Sequence, residues 1–159
     1  MVTAATKKHH AEVEARFAAM GITLVPGKRN KMGNRTAYYR GEKYDSCLEA
    51  EYAAHLDLQQ KLGVVIDWER QVPVTVLDGP KARDKIRLIV DFWVMYRDIP
   101  SRYIDAKGRI LPAFLFKVKL WKRNVPHELW IATKPDKDGP FVEKQLADGM
   151  LPAWRGEYS

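Results

Sequence analysis

Ile86-Arg87-Leu88-Ile89-Val90-Asp91-Phe92-Trp93-Val94-Met95-Tyr96, followed after a short turn by Arg102-Tyr103-Ile104-Asp105-Ala106-Lys107, is the stretch on which the fold turns. The first run is β-branched, aromatic or otherwise apolar at most positions, and the second alternates, so the pair reads as two strands of a hairpin. Asp91 has apolar neighbours on both sides, where a carboxylate is costly unless it is paired or binds a cation. The two-residue period of a strand puts Asp105 and Lys107 on one face. Two carboxylates able to share a divalent cation, with an ammonium beside them, are the parts that metal-assisted phosphodiester hydrolysis requires. In that reading Asp91 and Asp105 hold Mg²⁺ (or Mn²⁺), with the Ala106 carbonyl as a further oxygen ligand of the hard type Mg²⁺ prefers. Lys107 orients the attacking water or offsets charge on the phosphoryl group. The plainer alternatives are an Asp91–Arg87 pair and, for Asp105-Ala106-Lys107-Gly108, ordinary turn composition.

Working outward, His9 to Met20 reads as a short helix stopped by Gly21, with Val13, Phe17 and Met20 at helical spacing. Lys28 to Lys43 shows no periodicity and contains Gly33-Asn34, which predicts a loop or basic arm. Ser46 to Leu62 is expected to be a helix with Leu48, Tyr52, Leu56, Leu58 and Leu62 on its apolar side. Val64 to Val76 is expected to be extended, with Pro73 marking an edge strand. Pro112 suits the first position of a helix running to Asn124, with Phe114, Val118 and Trp121 on one face. Glu128 to Thr133 reads as a final buried strand and Phe141 to Asp148 as a weak last helix. The fold class is therefore α/β, a small mixed sheet flanked by helices.

The chain has 159 residues, 46% of them hydrophobic, which is ample for a packed core. No apolar run approaches the ~18 residues needed to span a bilayer. Met1 to His10 lacks the apolar segment of a secretory signal. The single cysteine, Cys47, excludes an internal disulfide and a cysteine-rich zinc site. These features predict a soluble cytoplasmic protein with no membrane partner. The net charge of +7 favours a polyanionic partner, of which nucleic acid is the commonest. Basic residues cluster in two places: Lys28, Arg29, Lys31, Arg35, Arg40 and Lys43, and then Lys107, Arg109, Lys117, Lys119, Lys122 and Arg123. Tyr38 and Tyr39 lie among the first group, a pattern that suits base stacking beside backbone contacts.

Ser46-Cys47-Leu48-Glu49 fits a capping box, with Ser46 at the N-cap and Glu49 three residues into the helix. Glu49 also falls at the border of the helix's apolar side, where it could face the sheet as a third carboxylate, with Glu51 as its substitute. Both readings stand. The histidines, His9, His10, His55 and His127, form no ligand or nucleophile constellation. Cys47 reads as a small buried residue rather than a catalytic thiol, and Trp68, Trp93, Trp121 and Trp130 as core. Asp67-Trp68-Glu69, next to Arg70, reads as a solvated strand edge.

Ser46-Cys47-Leu48-Glu49, Ile89-Val90-Asp91-Phe92 and Ile104-Asp105-Ala106-Lys107-Gly108, in that order, resemble the PD-(D/E)xK nuclease superfamily. The closest likeness is to the phage endodeoxyribonuclease I branch, which resolves Holliday junctions, and to related small phage proteins. The likeness covers about Ser46 to Thr133. Two positions depart from the branch: Val90 stands in place of its proline, and Asp105 in place of its glutamate, one methylene shorter. The resemblance implies a restriction-endonuclease-like core over residues 46–159; the N-terminal helix and basic arm over residues 1–45, read from pattern and charge, have no counterpart in it. It implies Glu49, Asp91 and Asp105 as metal ligands and Lys107 as the catalytic lysine of a Mg²⁺-dependent DNA endonuclease. Such an enzyme would be phage-encoded, work in the host cytoplasm and be structure-selective as a homodimer. Lys28, Arg29, Lys31, Arg35, Arg40, Lys117, Lys119 and Lys122 are then the expected DNA-backbone contacts. The alternative is a non-catalytic nucleic-acid-binding or assembly protein on the same fold.

Overall fold

The computed structural model describes residues 4–29, 33–108 and 110–146, the side chains of Thr6 and Lys28 aside. The chain divides into two compact units, Met1–Leu58 and Gln59–Ser159. Together they carry three helices, an antiparallel three-stranded sheet and a mixed five-stranded sheet among the described residues, so the class is α/β as expected.

In the first unit, α1 (Ala4–Ala19) leads into strands β1 (Ile22–Arg29), β2 (Arg35–Tyr39) and β3 (Glu42–Tyr44), and α2 (Cys47–Lys61) begins there. The stretch expected to be an irregular basic arm is thus largely sheet. β1 and β2 pair antiparallel from Ile22↔Tyr39 to Arg29↔Arg35. β2 and β3 close on Tyr39↔Glu42, leaving a two-residue turn of Arg40 (φ 50°) and Gly41 (φ 78°). Two successive positive φ values match the right-handed twist of a tight hairpin. Arginine is an uncommon residue for that conformation, so local sequence gave little sign of the turn. On α2, Ala50, Tyr52, Ala53 and Leu56 are buried, whereas Leu58, and Leu62 just past the helix end, are exposed and do not belong to the apolar side assigned to them.

In the second unit the sheet order is β4-β5-β6-β7-β8: β4 (Val65–Leu77), β5 (Ile86–Tyr96), β6 (Arg102–Ala106), β7 (Leu129–Thr133) and β8 (Val142–Gln145). β4 is an edge strand, consistent with Pro73, and its neighbour β5 forms the expected antiparallel hairpin with β6. β6 and β7 run parallel, joined by α3 (Pro112–Asn124) as a βαβ crossover. β7 is not the last strand. The final helix expected from Phe141 is instead β8, paired antiparallel with β7 from Trp130↔Gln145 to Thr133↔Val142; positions 147 and 148 lie outside the described residues. A short amphipathic run is ambiguous by period, and here the open edge of β7 settles it.

Pro112 occupies the first turn of α3, where its missing N–H breaks no hydrogen bond. Leu115, Val118 and Trp121 are buried, and Val118 and Trp121 pack with Val76, Leu88, Val90, Leu129, Ile131 and Leu146, while Phe114 is half-buried at the cluster's margin. Trp121 donates its indole N–H to the His127 carbonyl at 2.7 Å, and the Asn124 amide donates to the Val76 carbonyl at 2.7 Å. These bonds fix the helix over the strands. Of the tryptophans expected in the core, Trp121 is fully enclosed, whereas Trp68, Trp93 and Trp130 are half-buried. Among the described residues no helix is long and apolar enough to cross a membrane.

Candidate active site

Asp91 lies on β5 one residue beyond the Phe92↔Ile104 pair, so the register sets it opposite Asp105 on β6. Cross-strand neighbours of this kind have Cβ atoms about 5 Å apart. The ladder opens at this point. Ala106 N–H donates to Asp91 Oδ2 at 2.9 Å, a side-chain acceptor replacing the missing backbone one. Lys107 follows β6 immediately, and its own N–H donates to the Ala132 carbonyl of β7 at 3.0 Å. Asp105 and Lys107 therefore sit at the carboxyl end of a parallel strand, just before the crossover helix, where α/β sheets commonly place their sites.

The three side chains converge. Lys107 Nζ is 2.7 Å from Asp105 Oδ1 and 3.9 Å from Asp91 Oδ2. The ammonium also rests over the Phe114 ring of α3, 5.2 Å from its centroid, a cation–π contact that holds the long side chain in place. Asp105 is 1% exposed and Asp91 is 7% exposed. Burial first, and then the charge and side-chain contact of Asp105, hold the Asp91 carboxyl well above the usual carboxylate range, against the opposing pulls of Lys107 and the Ala106 N–H. The Lys107–Asp105 contact is an ion pair without the angles of a hydrogen bond, and among the described residues neither buried Asp105 oxygen accepts a hydrogen bond. With both carboxyls ionised the pair carries two negative charges against one ammonium. A proton on Asp91 or a cation at the pair would supply what is missing.

That deficit is the property a divalent cation requires of its ligands, so Asp91 and Asp105 fit one. Within either unit, no group of three or more His, Cys, Asp or Glu side chains is gathered among the described residues. Glu49 belongs to the first unit, at the start of α2. There Ser46 Oγ accepts the Glu49 N–H at 3.1 Å and donates to Glu49 Oε1 at 3.0 Å, a variant of the expected cap in which the two side chains bond each other. Glu51, the substitute ligand, is buried and pairs with Arg16 at 3.4 Å.

The other residues singled out by sequence are spread over both units. Arg29 is exposed and donates to the Gly33 carbonyl at 3.0 Å; Arg35 lies 3.7 Å from Glu14; Arg40 is exposed and reaches Asp57 at 3.1 Å. Lys31 lies outside the described residues. In the second unit Lys119 is exposed on α3, and Lys117 and Lys122 are half-buried. The two tyrosines of the basic stretch part company. Tyr38 is exposed, but Tyr39 is buried and donates to Asp57 Oδ2 at 2.6 Å, and burial followed by that bond pushes its hydroxyl up to about 12. Burial likewise pushes the Cys47 thiol up, the reverse of what a nucleophile needs. Asp67 and Glu69 are exposed on the edge strand, as expected.

Sequence reasoning missed two neighbours of the site. Phe114 reaches Lys107 only because α3 folds back over β6. Gln71 of β4, at φ 54°, falls between the pairs Arg70↔Phe92 and Val72↔Val90, which sets it across from Asp91. A left-handed non-glycine residue in a strand is strained by ~1 kcal/mol or more, and such strain gathers near functional sites. No family model matches the chain, and comparison with curated proteins and with solved structures gave no match, which leaves the site geometry as the guide to function.

Proposed function

We propose that this chain is a divalent-metal-dependent endonuclease that hydrolyses phosphodiester bonds in DNA. One observation carries the reading: two carboxyls face each other across a strand pair, the more deeply buried one accepts no hydrogen bond among the described residues, and the Lys107 ammonium lies beside both. Asp91 and Asp105 would hold the cation. When bound, Mg²⁺ or Mn²⁺ supplies Lewis-acid polarisation of the phosphate and a water of lowered pKa. Remaining ligand positions fall to water and phosphate oxygens, as Mg²⁺ commonly has it. Lys107 offsets the charge that grows on the phosphoryl oxygens as water attacks phosphorus and the ester oxygen leaves. Glu49 is kept as a third acidic contributor in the proposal, on its sequence position alone.

The basic side chains Arg29, Arg35, Arg40, Lys117, Lys119 and Lys122 support a DNA-backbone role, because phosphate contact needs positive charge rather than sequence-reading geometry. Junction selectivity, a homodimer and a phage origin with action in the host cytoplasm belong to the same proposal. The test is cleavage of a four-way junction, a linear duplex and a single strand in Mg²⁺, Mn²⁺ or EDTA, with Asp91→Asn purified in parallel. Metal-dependent cutting that the variant lacks is the expected result. Tight binding of DNA with no cutting of any substrate would replace the enzyme by a non-catalytic nucleic-acid-binding or assembly protein.

A further inference from the structure

We infer that Lys107 is the site's built-in cation: in the metal-free protein its ammonium offsets one of the two charges that the Asp91–Asp105 pair can carry, and divalent metal displaces it toward the phosphate. The inference rests on the proposed metal site and concerns how that site is kept stable and ready before metal arrives.

The geometry has three parts. Lys107 Nζ lies within ion-pair distance of both carboxyls, 2.7 Å from Asp105 and 3.9 Å from Asp91, so it touches both groups that the metal would use. Its contact with Asp105 stands in for a donor that the described residues do not otherwise provide to either oxygen. And its ammonium is 5.2 Å from the Phe114 centroid, with a side chain still 28% exposed, so it can leave the carboxyls without unpacking the core. An uncompensated pair of buried carboxylates is strongly destabilising, and among the described residues Lys107 is the cation that the second unit brings to it. A divalent ion carries twice that charge and neutralises both aspartates. Exchange of Lys107 for metal therefore balances both charges of the pair and frees the ammonium for the anion that arrives with the metal. A lysine serving only the transition state would show no such dependence in the absence of substrate.

The test is thermal melting of the full chain without DNA, in EDTA and in millimolar Mn²⁺, for the wild type, Lys107→Met, Asp105→Asn and Asp105→Asn/Lys107→Met. Met keeps the apolar stem against Phe114 and removes the charge. Lys107→Met is expected to melt roughly 5 °C lower than wild type in EDTA. Mn²⁺ is expected to raise its melting temperature at least twice as far as that of the wild type, since no ammonium competes. In the Asp105→Asn background, Lys107→Met should cost less than half as much, because the carboxylate it pairs with is gone. If Lys107→Met does not fold in EDTA, recovery of folding by the double variant supports the inference and failure to recover overturns it. Equal Mn²⁺ shifts in wild type and Lys107→Met would overturn the inference and leave the metal site standing. No Mn²⁺ shift in any form, together with no cleavage, would remove the metal site and the inference with it.

Discussion

Replacing Asp91 by asparagine should make the metal-free protein more stable while abolishing cleavage. The Ala106 N–H keeps its acceptor, because the asparagine carbonyl can take the place of Oδ2 at 2.9 Å. What changes is charge. Lys107 at 3.9 Å attracts the Asp91 carboxylate by about 4 kcal/mol at an effective dielectric constant near 20. Asp105, directly across the strands at a Cβ spacing of ~5 Å, repels it by an amount of similar size, ~3 kcal/mol. The two nearly cancel. What remains is the burial of an ion that is 7% exposed, several kcal/mol, partly offset by the charged hydrogen bond to Ala106. A net gain of about 1–2 kcal/mol for the amide follows, or roughly 3–6 °C in Tm.

The pH dependence gives this prediction its sign. Asp91 has a folded-state carboxyl held above its unfolded value, so the folded chain binds more protons between the two. Stability from this group is present below the ordinary carboxylate range and is lost as pH rises through the raised folded value. Wild type and Asp91→Asn should therefore melt together near pH 4, with the variant's advantage opening as pH increases. Circular dichroism melts of both proteins in EDTA across that range are the assay. A variant less stable than wild type at pH 8 would show that the Lys107 and Ala106 contacts outweigh burial. Asp91 would then be a structural residue, and the argument for a cation at the pair would fail.

Glu49→Gln retains an oxygen to accept from Ser46 Oγ, now at 3.0 Å, and should change stability by less than about 0.5 kcal/mol, through the helix N-terminus alone. Cleavage should fall at least ~10-fold if Glu49 joins the site, and an unchanged rate would confine it to the cap. Arg102 stacks 3.6 Å from the Trp130 ring centroid and pairs with Glu143 at 3.0 Å, with about 20% of its side chain exposed. Arg102→Ala should cost ~2 kcal/mol in urea unfolding with cleavage per folded molecule unchanged, and Arg102→Lys should restore less than half of that, because the planar stack is lost.

Particular residues mark how far local sequence reaches here. The β5–β6 hairpin, the start of α3 at Pro112 and the shared face of Asp105 and Lys107 follow from period, turn residues and the missing proline N–H, all of which act within a few positions. The Arg40-Gly41 turn did not, because nothing in an arginine announces a left-handed backbone; the hairpin it closes imposes one. Nor did β8, whose four residues become a strand when the edge of β7 offers them partners.

For the site, the sequence carries the identity of Asp91, Asp105 and Lys107 and the reason a charge at Asp91 is costly. Their convergence depends on long-range geometry: β5 opening from β6 so that Ala106 turns its N–H to Asp91, and α3 returning across the sheet to set Phe114 beneath the Lys107 ammonium. That Lys107 is the partner of Asp105 among the described residues is likewise a property of the packed molecule, since a buried carboxylate's partners are chosen by what the whole fold brings within about 3 Å.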